Sequence, residues 1–143
     1  MLDAHGKIAW GRGDIGGDPI VVVLTEAVSD AHLAGLRRDG VSYIFAGAHE
    51  LDLGLVLDIL NREPGIQRLE VNGAGVTNGA FLRAGLIDEI SLAICPAIDG
   101  AQGAPSVFDS RNGEVAPVRA MTLESSEMLK EGAVCLRYRV QNG

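Results

Sequence analysis

The chain has 143 residues, 47% of them hydrophobic, with 12 lysines and arginines against 19 acids and a net charge of −7. That length fits one domain with enough apolar residues for a core, and the acid excess excludes polyanion or nucleic-acid binding as the main task while leaving room for a local cluster of donors. No apolar run is long enough to span a bilayer, no basic-then-apolar leader follows Met1, and Cys95 and Cys135 sit in apolar runs, as reduced core thiols of a cytoplasmic protein do.

Lys7 to Trp10 reads as a short strand, followed by a glycine-rich loop from Gly11 to Asp18. Pro19 introduces Ile20 to Thr25, a continuous β-branched run of the kind found in strands covered on both faces. Ser29 is an N-cap for a helix to about Arg38, with Leu33 and Leu36 inward and Gly40 ending it. Val41 to Ala46 is the next strand. Asp52 caps a second helix whose Leu53, Val56, Leu57 and Leu60 follow the i, i+3, i+4, i+7 stripe until Pro64-Gly65 stops it.

The segment Leu69 to Gly100 is the most informative. A short strand, Leu69 to Val71, leads into Gly73-Ala74-Gly75; Thr77-Asn78 then opens a short helix around Ala80 to Arg83. Such an order presents backbone N–H groups at a helix N-terminus, an anion-binding arrangement, and the small residues let the backbone approach a phosphate. A strand from Asp88 to Cys95 follows. Arg119 to Ser125 and Ala133 to Val140 alternate around Lys130-Glu131-Gly132 as a closing antiparallel pair. Alternating strands and helices with a terminal hairpin predict an α/β domain with a mixed sheet.

From Val71 onward, V-N-G-A-G-V-T-N-G-A-F-L-R-A-G-L-I-D-E-I-S-L resembles the dinucleotide-binding signature of dihydrofolate-reductase-like proteins. The nearest branch is the C-terminal reductase domain of bifunctional riboflavin-biosynthesis enzymes, which typically reads V-E-G-G-G-T-L-N-G-x-F-L and then L-V-D-E-L. Leu2-Asp3, the Val22 to Thr25 strand and the closing hairpin match the same order of elements, so the resemblance covers essentially the whole chain. It implies a dihydrofolate-reductase-like mixed sheet flanked by helices, NADPH as cofactor, and a ribosylaminopyrimidine or pterin-like small-molecule substrate. The cofactor would be held by Gly73, Ala74, Gly75, Val76, Thr77 and Asn78, and by Asp3, Ala4 and Thr25 near its adenosine part. Asn72 would face the substrate.

The sequence departs from the family pattern in four ways. Asn72 replaces a carboxylate, losing charge but keeping a donor and an acceptor. Ala74 replaces the middle glycine, at a cost of roughly 1–2 kcal/mol if the position needs positive φ. Ala4 stands where a hydroxyl residue is expected. The family's S-L-D-G-like and G-R-x-T-like elements, which form central strands, have no counterpart before Leu2-Asp3, so the chain reads as N-terminally truncated and names no catalytic residue.

Plainer roles compete at most of these positions. Thr77 or Asn78 is a helix cap under either reading, Phe81, Leu82, Leu86 and Ile90 read as core, and Asp88-Glu89 as a solvated strand start. Arg12, Arg37 and Arg38 are candidates for a 2′-phosphate, with solvated positions the commoner fate. His5, His32 and His49 lack metal-ligand spacing and read as surface or loop residues, so no metal is expected. The alternation of Ile90, Leu92, Ile94 with Val134, Leu136, Tyr138, Val140 gives a half-buried sheet face that either packs a second subunit, as a homodimer, or closes over the domain's own helices. Two functions remain: an NADPH-dependent reductase, and a non-catalytic nucleotide-binding or dimerising remnant of that fold.

Overall fold

The computed structural model describes residues 1–100, 102–110, 115 and 118–142. The chain divides into two compact units, residues 1–69 and 70–143.

The first unit is built on parallel pairing. Strand β3 (Val21–Leu24) pairs in register with β4 (Ser42–Phe45), and Leu2 forms a parallel bridge to Val23 on the other side of β3. Ahead of it, β1 (Asp14–Ile15) and β2 (Asp18–Pro19) form a minimal hairpin inside the expected glycine-rich loop. Its Gly16-Gly17 turn has positive φ at both residues, the geometry that matches strand twist in a two-residue hairpin. Lys7 to Trp10, expected as a strand, is not one: Asp3 turns the chain by accepting from the Lys7 and Ile8 N–H groups, and Trp10 packs on the core instead.

Helix α1 (Asp30–Arg38) starts at Ser29, whose hydroxyl accepts from the His32 N–H; α2 (Leu53–Arg62) starts at Asp52, whose carboxylate accepts from Leu55 N–H. Both caps match the sequence expectation. The β3 run is covered on both faces, as its composition requires. Val22 and Leu24 pack with Leu33 and Leu36 of α1, while Val23 packs with Val56 and Leu60 of α2.

The second unit carries α3 (Gly75–Arg83) and an antiparallel sheet in the order β5 (Glu89–Ile94), β7 (Val134–Val140), β6 (Met121–Met128). A bulge between Leu123 and Ser125 interrupts the β6–β7 ladder, and Glu131 takes φ 63° in the connecting turn. Register puts Ile90, Leu92 and Ile94 opposite Tyr138, Leu136 and Val134, so these residues share one face as their alternation predicts. The opposite face is polar, with Arg137 3.3 Å from Glu89 and Arg139 paired to Glu124. Parallel and antiparallel pairings thus lie in separate sheets.

Leu69 to Val71 is not a strand. A strand exists by its ladder, and among the described residues none pairs with this run. The cysteines differ from expectation too: Cys95 is exposed just past β5, and the half-buried Cys135 lies on the polar face with its Sγ 3.6 Å from Ser91 Oγ. Period-two alternation sends that position away from the apolar face.

Candidate functional site

The sequence-predicted ligand residues fall into two groups, one in each unit. In the first unit, Asp3, Ala4 and Thr25 meet at the carboxyl ends of the parallel strands, where open α/β sheets bind ligands. Thr25 is fully buried; its hydroxyl donates to the Ala4 carbonyl at 2.6 Å and its N–H to the same oxygen at 3.2 Å. Asp3 is also buried, and its two carboxylate oxygens accept from Lys7 N–H at 2.9 Å and Ile8 N–H at 3.0 Å. The polar atoms of Asp3 and Thr25 are therefore occupied inside the protein. What they supply at this corner is shape, and the side chains exposed beyond it are His5, Glu26, His49 and Glu50.

His32 belongs to this corner, although sequence placed it at the surface. It lies in the first turn of α1, half-buried, with Nε2 4.0 Å from Asp3 Oδ2 and no hydrogen-bond partner among the described residues. Gly6 packs so closely on its ring that a Cβ there would come within 2.7 Å of Cδ2. Only the fold of the Asp3 turn brings the two together, so no sequence spacing signals it.

In the second unit, Asn72 is exposed and the Gly73-Ala74-Gly75 run opens α3. Ala74 is the N-cap, with φ −67° and ψ 164°, so the methyl meets no left-handed strain and the feared cost does not arise. Among the described residues no side chain caps this helix, in contrast to α1 and α2. The Ala74 carbonyl accepts from Thr77 N–H and Asn78 N–H, so Thr77 and Asn78 lie inside the first turn and neither is the cap expected of them. A helix end with no side-chain cap keeps a place for an external anion.

The glycines have two different tasks. A Cβ on Gly73 would meet the Thr77 side chain at 2.7 Å, so Gly73 lets the approach to α3 fold against its own first turn. Gly75 and Gly79, one helical turn apart, face the backbone of residues 106–109. Asp109 N–H donates to Gly75 O at 2.8 Å, and Asn78 Nδ2 donates to Val107 O at 2.9 Å. Asn78 is thus a tether for the 106–109 strap, and its Oδ1 is buried without a partner among the described residues. Sequence reasoning missed this strap; the i, i+4 glycine pair was its one legible trace.

Asp88 and Glu89 are exposed at the start of β5, as solvated strand ends are. Arg37 donates from Nη2 to Tyr43 Oη at 2.7 Å, and Arg38 lies 3.1 Å from Asp39, both at the C-terminus of α1. No group of three His, Cys, Asp or Glu residues that could hold a metal occurs among the described residues. Nor, among them, is any helix long and apolar enough to cross a membrane.

Comparison with known proteins places these features in a family. The family model of the RibD C-terminal domain matches residues 14–135. A 2,5-diamino-6-ribosylamino-4(3H)-pyrimidinone 5′-phosphate reductase of Methanothermobacter thermautotrophicus is 31% identical over 124 residues, covering 86% of this chain and 56% of that protein. A protein of the same name from Aquifex aeolicus is 30% identical over 89 residues, covering 62% of this chain and 39% of its own length. This chain therefore spans little more than half of one relative and less than half of the other. Among solved structures, a pyrimidine reductase-like protein of Corynebacterium diphtheriae superposes with a TM-score of 0.79 at 20% identity, over 99% of this chain and 60% of that one. Acinetobacter baumannii RibD superposes with a TM-score of 0.71, also at 20% identity, over 98% of this chain and 36% of that one. These likenesses establish the fold.

Proposed function

The chain belongs to the RibD C-terminal domain family, and from that premise we propose that it is the reductase part of a riboflavin-biosynthesis enzyme. It would pass a hydride from a reduced nicotinamide dinucleotide to a ribosylaminopyrimidinone phosphate of the kind named for its relatives. The observation that carries the reading is the α3 N-terminus, opened by Asn72-Gly73-Ala74-Gly75 and, among the described residues, without a side-chain cap. That end fits a pyrophosphate: small residues allow close approach, and the helix dipole favours negative charge.

When bound, the dinucleotide supplies the hydride; the protein's task is to hold donor and acceptor carbons in register. Gly73 to Asn78 would seat the pyrophosphate. In the same unit, Asn72 would hydrogen-bond the substrate through an uncharged amide; in the first unit, considered by itself, the Asp3–Ala4–Thr25 corner is the candidate seat for an adenosine moiety. NADPH is the donor that the resemblance implies, and the choice between it and NADH turns on the charge around the adenosine ribose.

A homodimer is part of the same proposal. Met121, Leu123 and Met128 of β6 and Ile94 of β5 remain exposed at 47%, 52%, 80% and 52% on the apolar face of the antiparallel sheet, a surface that a second copy could cover. A cytoplasmic location accords with two free thiols. The deciding experiment combines calorimetry with each nicotinamide, a reduction assay on the relatives' named substrate, and sedimentation. Saturable binding with turnover establishes the reductase; binding without turnover favours the nucleotide-binding remnant; a folded chain that binds neither nucleotide defeats both.

A further inference from the structure

We propose that this chain selects NADH over NADPH, and that Glu26 sets the choice. The inference rests on the reading of the Asp3–Ala4–Thr25 corner as the seat of the cofactor's adenosine half.

Glu26 follows directly on the buried Thr25 at the carboxyl end of β3, the middle of the three parallel segments. Its N–H is bonded to Gly47 O at 3.0 Å, which fixes the backbone there, and its side chain is exposed. A carboxylate at the end of a parallel strand is a hydrogen-bond acceptor for a ribose diol. It repels a 2′-phosphate, which brings up to two negative charges to the same place.

The surroundings strengthen that sign. Around the corner, the loops at the carboxyl ends and the helix starts they lead into carry Glu26, Asp30, Glu50 and Asp52. Against these four carboxylates stands Lys7, with His5, His32 and His49 beside it. The two helices that begin there offer a phosphate little, because Ser29 Oγ and Asp52 Oδ1 already accept their first-turn N–H groups.

The arginines lie at the other end of the strands. Arg37 and Arg38 sit at the C-terminus of α1, bonded to Tyr43 and Asp39. Arg12 adjoins Gly13, whose carbonyl accepts from Ile20 N–H just before β3 begins. Arg62 is the last residue of α2, and Arg68 follows that helix. Every arginine that sequence offered for a 2′-phosphate is thus displaced from the corner by the length of a strand or helix. Among the described residues of this unit, no arginine stands at the carboxyl ends.

The test is calorimetric titration of the purified chain with NADH and NADPH separately, repeated on Glu26→Gln and Glu26→Lys. The expected result is at least tenfold tighter binding of NADH. That ratio should shrink in Glu26→Gln and turn towards NADPH in Glu26→Lys, with the melting temperature unchanged because the side chain is exposed. Equal or tighter NADPH binding by the unaltered chain would overturn the selectivity and leave the site reading standing. An unaltered ratio in both variants would remove Glu26 from the role. A folded chain that binds neither nucleotide would defeat the site reading and this inference with it.

Discussion

Gly79 of α3 and Asp109 of the strap are in backbone contact: a Cβ on Gly79 would overlap the Asp109 carbonyl. Glycine in mid-helix ordinarily costs about 1 kcal/mol relative to alanine. Here the missing methyl is what lets the strap lie against the helix. Gly79→Ala should therefore lower stability by about 1–3 kcal/mol, as overpacking does, despite the gain in helix propensity. A thermal melt decides it, since a neutral or raised melting temperature would mean that the 106–109 segment does not rest on α3.

Ala74 gives a prediction with two opposite signs. It is the exposed N-cap of a helix with no side-chain cap, so Ala74→Asp should stabilise the fold by about 1 kcal/mol. The same carboxylate would occupy the place proposed for the pyrophosphate, so nicotinamide affinity should fall at least tenfold. Chemical denaturation and calorimetry on one preparation measure both. Stabilisation without loss of binding would move the dinucleotide away from this helix end.

Thr25→Val keeps the shape of a fully buried residue and removes the hydroxyl bonded to Ala4 O. The expected loss is about 1 kcal/mol, the net worth of one hydrogen bond, because Thr25 N–H still satisfies the carbonyl. Cofactor affinity should change little, since the hydroxyl is turned inward. A large drop in affinity with unchanged stability would show Thr25 touching ligand directly.

Asp39 sets a pH dependence. Its carboxyl is held below the usual range, first by the hydrogen bond from Gly11 N–H and then by Arg38. A depressed folded-state pKa means that the contribution is complete above the unfolded-state pKa and disappears as pH falls through the folded-state value. Unfolding profiles of the native chain and Asp39→Asn should therefore differ at neutral pH and converge in acid. Parallel profiles from pH 7 to pH 3 would exclude the Gly11–Asp39 tie as a pH-sensitive contact.

Much of the fold was legible because it rests on local rules. The Ser29 and Asp52 caps, the Leu33–Leu36 and Val56–Leu60 stripes, and the doubly covered β3 run each follow from residues a few positions apart. The motif from Val71 to Leu92 identified the family, since Asn72-Gly73-Ala74-Gly75 and Asn78-Gly79 are spaced by the geometry of one helix start.

Contacts between distant segments had to await the tertiary structure. Leu69 to Val71 has the composition of a strand, but a ladder needs a partner that composition does not supply. Asn78 reads as a cap in sequence and serves instead as a tether to Val107, because Ala74 takes the cap position. His32 acquires Asp3 as a neighbour 29 positions away only through the turn that Asp3 itself organises. By itself, the sequence determined where helices begin, which faces are apolar and which family motif is present, all properties of neighbouring residues. The fold alone decided that Glu26 and Glu50 stand at the carboxyl ends of the strands and Arg12, Arg37 and Arg38 at the other end, because packing direction, and not sequence spacing, assigns a side chain to one end or the other.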